Sequence, residues 1–200
     1  MTQVFNPEDG HVERVTVIEA GPCFVTGIRR ADRDGYDAIQ LAGNATEERK
    51  LTRAELGHLK KAGAGALQTV VEFRDAELPG DEERKVGDDV TVSDFEPGDS
   101  VKVSAVSIGK GFQGTIKRHN FSRGPMTHGS HNIRAPGSIG ASADPARVFP
   151  GQKMPGRMGG RRSTQRGATV VEVDSESNLL LIRGSVPGAT NATVEVRSNG

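Results

Sequence analysis

Three groups of residues in this 200-residue sequence have types and spacings that could do chemistry. The first is GKGFQG at 109–114, with the Gly-x-Gly-x-x-Gly spacing of loops that bring backbone amides against phosphate. A dinucleotide fold needs a long helix directly after such a loop and an acid about 20 residues further on for the ribose. Here TIKRHNFSRGP follows, with β-branched Thr115 and Ile116 and then Pro125, and Arg134 stands near where the acid belongs. A kinase-type glycine loop fails because no catalytic-loop or metal-binding signature follows it. A P-loop fails because Ser104 occupies the place of its first glycine. A nucleotide-dependent enzyme using 109–114 is therefore the alternative reading. The simpler one is that these glycines let the chain and Lys110 come close to phosphates.

The second group is His119, His128 and His131. No cysteine or acid lies near them to complete a metal shell, and the surrounding cations repel one, so the sequence predicts no metal. These imidazoles read either as polar or stacking contacts to nucleic acid or as solvated side chains. No nucleophile-elbow or zinc-protease pattern occurs, so neither catalysis nor a cofactor is expected. Asn44-Ala45-Thr46, Asn120-Phe121-Ser122 and Asn191-Ala192-Thr193 match the glycosylation triplet and, without a secretion signal, are chance matches.

The third group carries the signal. Formal net charge is zero, but residues 1–100 hold 12 Lys/Arg against 21 Asp/Glu, 101–166 hold 12 against one (Asp144), and 167–200 hold 2 against 4. The middle segment is thus +11 and calls for a polyanion. Its cations are spaced, not clumped: Lys110, Lys117, Arg118, Arg123 and Arg134, then Arg147, Lys153, Arg157, Arg161, Arg162 and Arg166. Phe112, Phe121 and Phe149 lie among them. Arginine dominates, which suits forked phosphate contacts and stacking on bases, and spaced charge suits a strand threading between RNA helices. A flexible solubilising loop would mix its charge signs.

The elements that must hold this segment are predicted around it. HVERVTVIEA (11–20), CFVTGIRR (23–30) and DAIQLAG (37–43) are β-branched runs parted by turn signals at Gly21-Pro22 and Asp34-Gly35. Thr52 and Glu55 have capping-box spacing, which predicts a helix over 52–63. Strands resume at 67–74, 89–95 and 100–108, as expected for a small barrel or sandwich. Ten acids stand in 75–99: Asp75, Glu77, Asp81, Glu82, Glu83, Asp88, Asp89, Asp94, Glu96 and Asp99. They read as a solvated, anion-repelling face and not as a metal site.

Residues 112–166 contain only Ile116, Ile133, Ile139, Val148 and three Phe as large apolar residues besides methionine. So few cannot offset about 1–2 kcal/mol of backbone entropy per residue, which predicts disorder for the segment alone. Strand patterns return at 167–174, 178–186 and 192–198. The expected organisation is a closed β domain, 1–108 with 167–200, and a cationic loop over 109–166 thrown out of it.

Composition agrees with a soluble domain. Apolar residues make up 34% and glycine 26 of 200, together near the average for such proteins. No run approaches the roughly 18 apolar residues of a membrane helix. MTQVFNPEDGHVERV has neither a basic start nor an apolar stretch, and Cys23 is the sole cysteine, so the chain reads as intracellular and reduced.

VKVSAVSIGKGFQGTIKRHNF, HGSHNIRAPGSIGASADPARVFPGQKMPGRMGG and VDSESNLLLIRGSVPGA resemble the bacterial family of ribosomal large-subunit protein three, as do MTQVFNPEDG and VTVIEAGPCFVTGIRRADRDGYDAIQLA. The resemblance runs over nearly the whole chain. It implies a mainly β fold: a small closed barrel of the translation-protein type with one helical insertion and a long irregular extension. It implies a structural, cytoplasmic role on the ribosome, early assembly near the 3′ end of large-subunit RNA, and neighbouring ribosomal proteins as partners. The extension reaches toward the peptidyl transferase centre, with a tip around Arg134, Ala135, Pro136, Gly137, Ser138, Ile139 and Gly140. A free RNA chaperone is the remaining alternative.

Three features depart from the family pattern. Members usually begin with about ten more residues, including a first strand. Ala141 replaces a glutamine that some members carry methylated, so that modification is not transferred. The barrel half is acidic where the family is basic, which fits a salt-rich cytoplasm or a solvent-facing surface.

Overall fold

In the computed structural model, residues 1–5, 10–74 and 84–198 are described. Twelve strands are present among them: β1 (Thr2–Phe5), β2 (Val12–Glu19), β3 (Cys23–Arg29), β4 (Ala38–Ala45), β5 (Leu67–Arg74), β6 (Asp89–Val90), β7 (Ser100–Val106), β8 (Phe112–Gln113), β9 (Gly156–Arg157), β10 (Arg162–Asp174), β11 (Leu179–Arg183) and β12 (Val194–Ser198). Helices are short: α1 (Ala31–Asp34), α2 (Arg53–Lys61) and α3 (Thr115–His119), with 3₁₀ turns at Glu48–Lys50 and Val92–Asp94. The fold is mainly β.

Six strands form one sheet in the order β1-β2-β11-β10-β7-β12. Antiparallel register sets Ile18 opposite Leu180, Thr16 opposite Ile182, and Ile182 opposite Val170, so these side chains share a face. Leu180 and Ile182 are fully buried, as are Val101 and Val103 of β7. Each such side chain contributes about 1.5–3 kcal/mol of transfer free energy.

The second sheet has the order β5-β4-β3-β6. Val25, Leu41 and Phe73 make one of its clusters, and Ala42, Leu59, Ala64 and Leu67 another. Leu59 is the buried residue of α2. That helix starts where the spacing predicts: Thr52 Oγ1 accepts from the Glu55 amide while the Glu55 carboxylate accepts from the Thr52 amide. His58 Nε2 donates to Gln40 Oε1 at 2.7 Å, tying the helix to β4.

Several expectations are corrected. Among the described residues the sheets are open, ending at β1 and β12 and at β5 and β6, and no single closed ring of strands is formed. Only Asp89–Val90 of the predicted 89–95 run forms a paired strand, against Cys23 and Phe24, because the chain then enters a 3₁₀ turn that buries Val92. Within the β-branched run 11–20, Val17 is 41% exposed, since Ile18 takes the position facing Leu180. The segment 112–166 is not irregular throughout: β8, α3 and β9 lie in it, and β10 begins at Arg162.

Five of the ten acids in 75–99 (Asp75, Glu77, Asp81, Glu82 and Glu83) lie outside the described residues. Of the others, Asp88 and Asp99 accept the amides of Lys85 and Glu96 in tight turns, and Asp94 pairs with Arg84 at 2.8 Å. Asn44, Asn120 and Asn191, the heads of the three glycosylation triplets, all stand at φ of 59–62°. Asparagine tolerates this left-handed region, which Asn120 adopts at the end of α3, Asn191 in a turn and Asn44 near the end of β4.

Candidate nucleic-acid interface

The chain divides into two compact units. The first comprises 1–104, 164–186 and 195–200 and holds nearly all of the buried apolar residues. The second comprises 105–163 and 187–194 and includes most of the cationic segment.

The second unit has a knitted root. Outgoing and returning limbs exchange four backbone bonds: Ser107 N to Arg161 O (2.9 Å), Gly160 N to Ser107 O (3.0 Å), Lys110 N to Met158 O (2.9 Å) and Met158 N to Gly111 O (2.9 Å). β8 and β9 continue this ladder, pairing Phe112 with Arg157 and Gln113 with Gly156. Gly159, at φ +68°, is needed here, because a Cβ would stand 2.1 Å from the Ile108 carbonyl. The glycine-rich run 109–114 thus spends the Lys110 amide on the opposite limb and does not present it to a phosphate. Its helix, α3, has only five residues.

Beyond the root, α3 is closed by Asn120 and ends in Lys117, Arg118 and His119, and its two cations, Lys117 and Arg118, meet the negative end of the peptide dipoles. Gly124 N donates to Ile133 O at 3.0 Å, closing a smaller loop. Farther along, Gly137, Ser138, Ile139, Arg147 and Val148 line an open concavity of about 560 Å³. Ser138 Oγ donates to Gly140 O, and the Arg147 guanidinium stands 5.6 Å from the centre of the Phe149 ring.

Exposure sorts the predicted residues. Lys110, Phe112, Lys117, Arg123, His128, His131, Arg134, Ser138, Arg147, Lys153, Arg157, Arg161, Arg162 and Arg166 are exposed. Arg118, His119 and Phe121 are half-buried. Arg118 and His119 meet at the Met154 carbonyl, and the His119 ring lies 6.1 Å from that of Phe121. The three histidines are not gathered, since His128 and His131 face solvent. Lys110, Lys117, Arg123, Arg134, Arg147, Lys153, Arg157 and Arg161 form no ion pair with a carboxylate among the described residues, whereas Arg162 is engaged within the chain.

Sequence reasoning missed three parts of this site. Met154 acts through its carbonyl, which side-chain identity does not reveal. Gly156 matters because Arg118 packs against it. Thr115 is 1% exposed in a segment read as coreless, and its Oγ1 finds no partner among the described residues. Two-residue strands are too short to show a period of two.

Comparison with known proteins bears on what this surface meets. The model of the family "Ribosomal protein L3" matches residues 61–179. The large ribosomal subunit protein uL3 of Synechococcus sp. (strain CC9605) is 48% identical over 197 residues, covering 98% of this chain and 88% of that protein. That of Acaryochloris marina (strain MBIC 11017) is 50% identical over 197 residues, 98% of this chain and 91% of its own length. The chain belongs to the ribosomal protein L3 family. The L3 match spans the two limbs of the root, α3 and the whole cationic segment. The uL3 of Prochlorococcus marinus (strain MIT 9515) aligns with 100% of the chain at 45% identity, so the acidic first hundred residues belong to the L3 likeness too.

Proposed function

We infer that this protein is a structural constituent of the large ribosomal subunit that binds its RNA through the cationic segment 109–166. One observation carries the reading: in an L3-family chain, 12 Lys/Arg stand against one acid over 101–166, and most of these cations are exposed with no carboxylate partner among the described residues. The L3 family is one of structural ribosomal proteins, not enzymes.

Exposed cations neutralise phosphates where RNA helices converge, and each contact releases counterions. Phe112 and Phe149 offer ring faces to unpaired bases. The strands of 1–108 and 167–200 act as the anchor of the segment, and the wrapping of their sheets into a barrel of the translation-protein type rests on the family likeness. From the same likeness come early assembly, neighbouring ribosomal proteins as partners, residence on cytoplasmic ribosomes, and the approach of residues 134–140 to the peptidyl transferase centre.

Sedimentation of cell extract tests the reading. The protein is expected in the large-subunit fraction through a high-salt wash, and recovery only as free protein would refute it. Nucleotide titration tests the enzyme alternative: saturable binding lost in Gly111→Asp would favour it.

A further inference from the structure

The cations of this segment are not equally available to a polyanion. Arg118 and His119, adjacent on α3, both aim at the main-chain carbonyl of Met154 on the returning limb. Arg118 Nη1 donates at 2.6 Å and His119 Nε2 at 3.1 Å. Together they give that oxygen two donors, as many as its two lone pairs accept, and the charged donor makes the stronger bond. Neighbouring Lys117, by contrast, is exposed. Gly156 leaves room for the guanidinium, because a Cβ there would lie 2.8 Å from Arg118 Nη1 and 3.2 Å from its Cζ and would push it aside.

We propose that Arg118, with His119 and the bare backbone at Gly156, is a positioning device. It sets where the returning limb joins the root and so fixes the register of the segment before RNA arrives. The proposal rests on the RNA-binding reading but reassigns two of its residues. Arg118 and His119 act through Met154, while exposed cations such as Lys110, Arg123, Arg157 and Arg161 meet phosphate.

The two roles have separable signatures. Neutralising a phosphate ligand reduces the steepness of log K against log salt by about 0.7–0.9 per contact. Losing a positioning residue weakens binding and leaves the slope alone, because the same counterions are released. It also loosens the root of the free protein, which no phosphate ligand does.

The test uses the full chain, as Arg118→Met and as Gly156→Ala. The second variant keeps every charge and stays readable if the first unfolds the protein. Amide hydrogen exchange is measured on the free protein, and salt-dependent binding on a large-subunit rRNA transcript. In both variants exchange at Lys110 and Met158 should accelerate about tenfold or more. RNA affinity should fall by a similar factor at unchanged slope. A flatter slope for Arg118→Met with root exchange unaltered overturns the proposal and makes Arg118 a phosphate ligand. Unaltered exchange in Gly156→Ala overturns it as well. If the parent protein shows no salt-dependent affinity for the transcript, the RNA reading fails instead, and the exchange data judge the positioning role alone.

Discussion

Phe112 stands directly across the β8–β9 ribbon from Arg157, an aromatic ring 76% exposed beside an exposed guanidinium. A ring of this size is normally covered in a folded protein. Here it offers a stacking face beside a fork for phosphate. Phe112→Ala should therefore weaken binding to large-subunit RNA by about 1–3 kcal/mol, the usual contribution of one stacked base. Thermal unfolding of the free protein should stay within about 0.5 kcal/mol of the parent. A stability loss without an affinity loss would return Phe112 to a packing role.

Arg161 holds the root through its backbone, accepting from both the amide and the hydroxyl of Ser107, while its side chain faces solvent. Arg161→Gln should leave root exchange unchanged and flatten the salt dependence of RNA binding by about 0.7–0.9. An unchanged slope would remove Arg161 from the interface.

Beyond the root, Thr115 is the single buried residue between Lys110 and Ser163. Replacing 115–155 by a short Gly/Ser linker that joins β8 to β9 should therefore leave the two larger sheets folding cooperatively while specific RNA binding is lost. Circular dichroism on melting and a filter-binding titration check the two halves of this expectation.

Leu180 is fully buried where β11 faces Ile18 and Val173. Leu180→Ala should destabilise the protein by about 2–5 kcal/mol, measured by urea unfolding.

The α2 cap gives a pH dependence of known sign. Hydrogen bonds from the Thr52 amide and then the Thr52 hydroxyl hold the Glu55 carboxyl below the ordinary glutamate range. A carboxylate lowered in the folded state stabilises above its unfolded value, and the contribution is lost as pH falls through the folded one. Glu55→Gln should thus cost stability near neutrality and little in strong acid. Thr52→Ala, which removes the cap itself, should cost about 0.5–2 kcal/mol near neutrality.

By itself the sequence determined the elements whose signals are local. Thr52 and Glu55 announce the helix because a capping box needs only spacing. Leu67–Arg74 forms a strand at the residues predicted, as β-branched alternation requires. Charge partition between 1–100 and 101–166 also needs no fold, being a property of composition. Tertiary structure decided whatever depends on partners distant in the chain. Val17 or Ile18 could each have faced the core, and the β11 register chose Ile18. Arg118 and Arg123 are equivalent in sequence, yet one is drawn to the Met154 carbonyl 36 residues away and the other is left to solvent. The physical reason is that backbone carbonyls and strand registers carry no residue-type signature, so only the folded chain shows which cations are spent inside it.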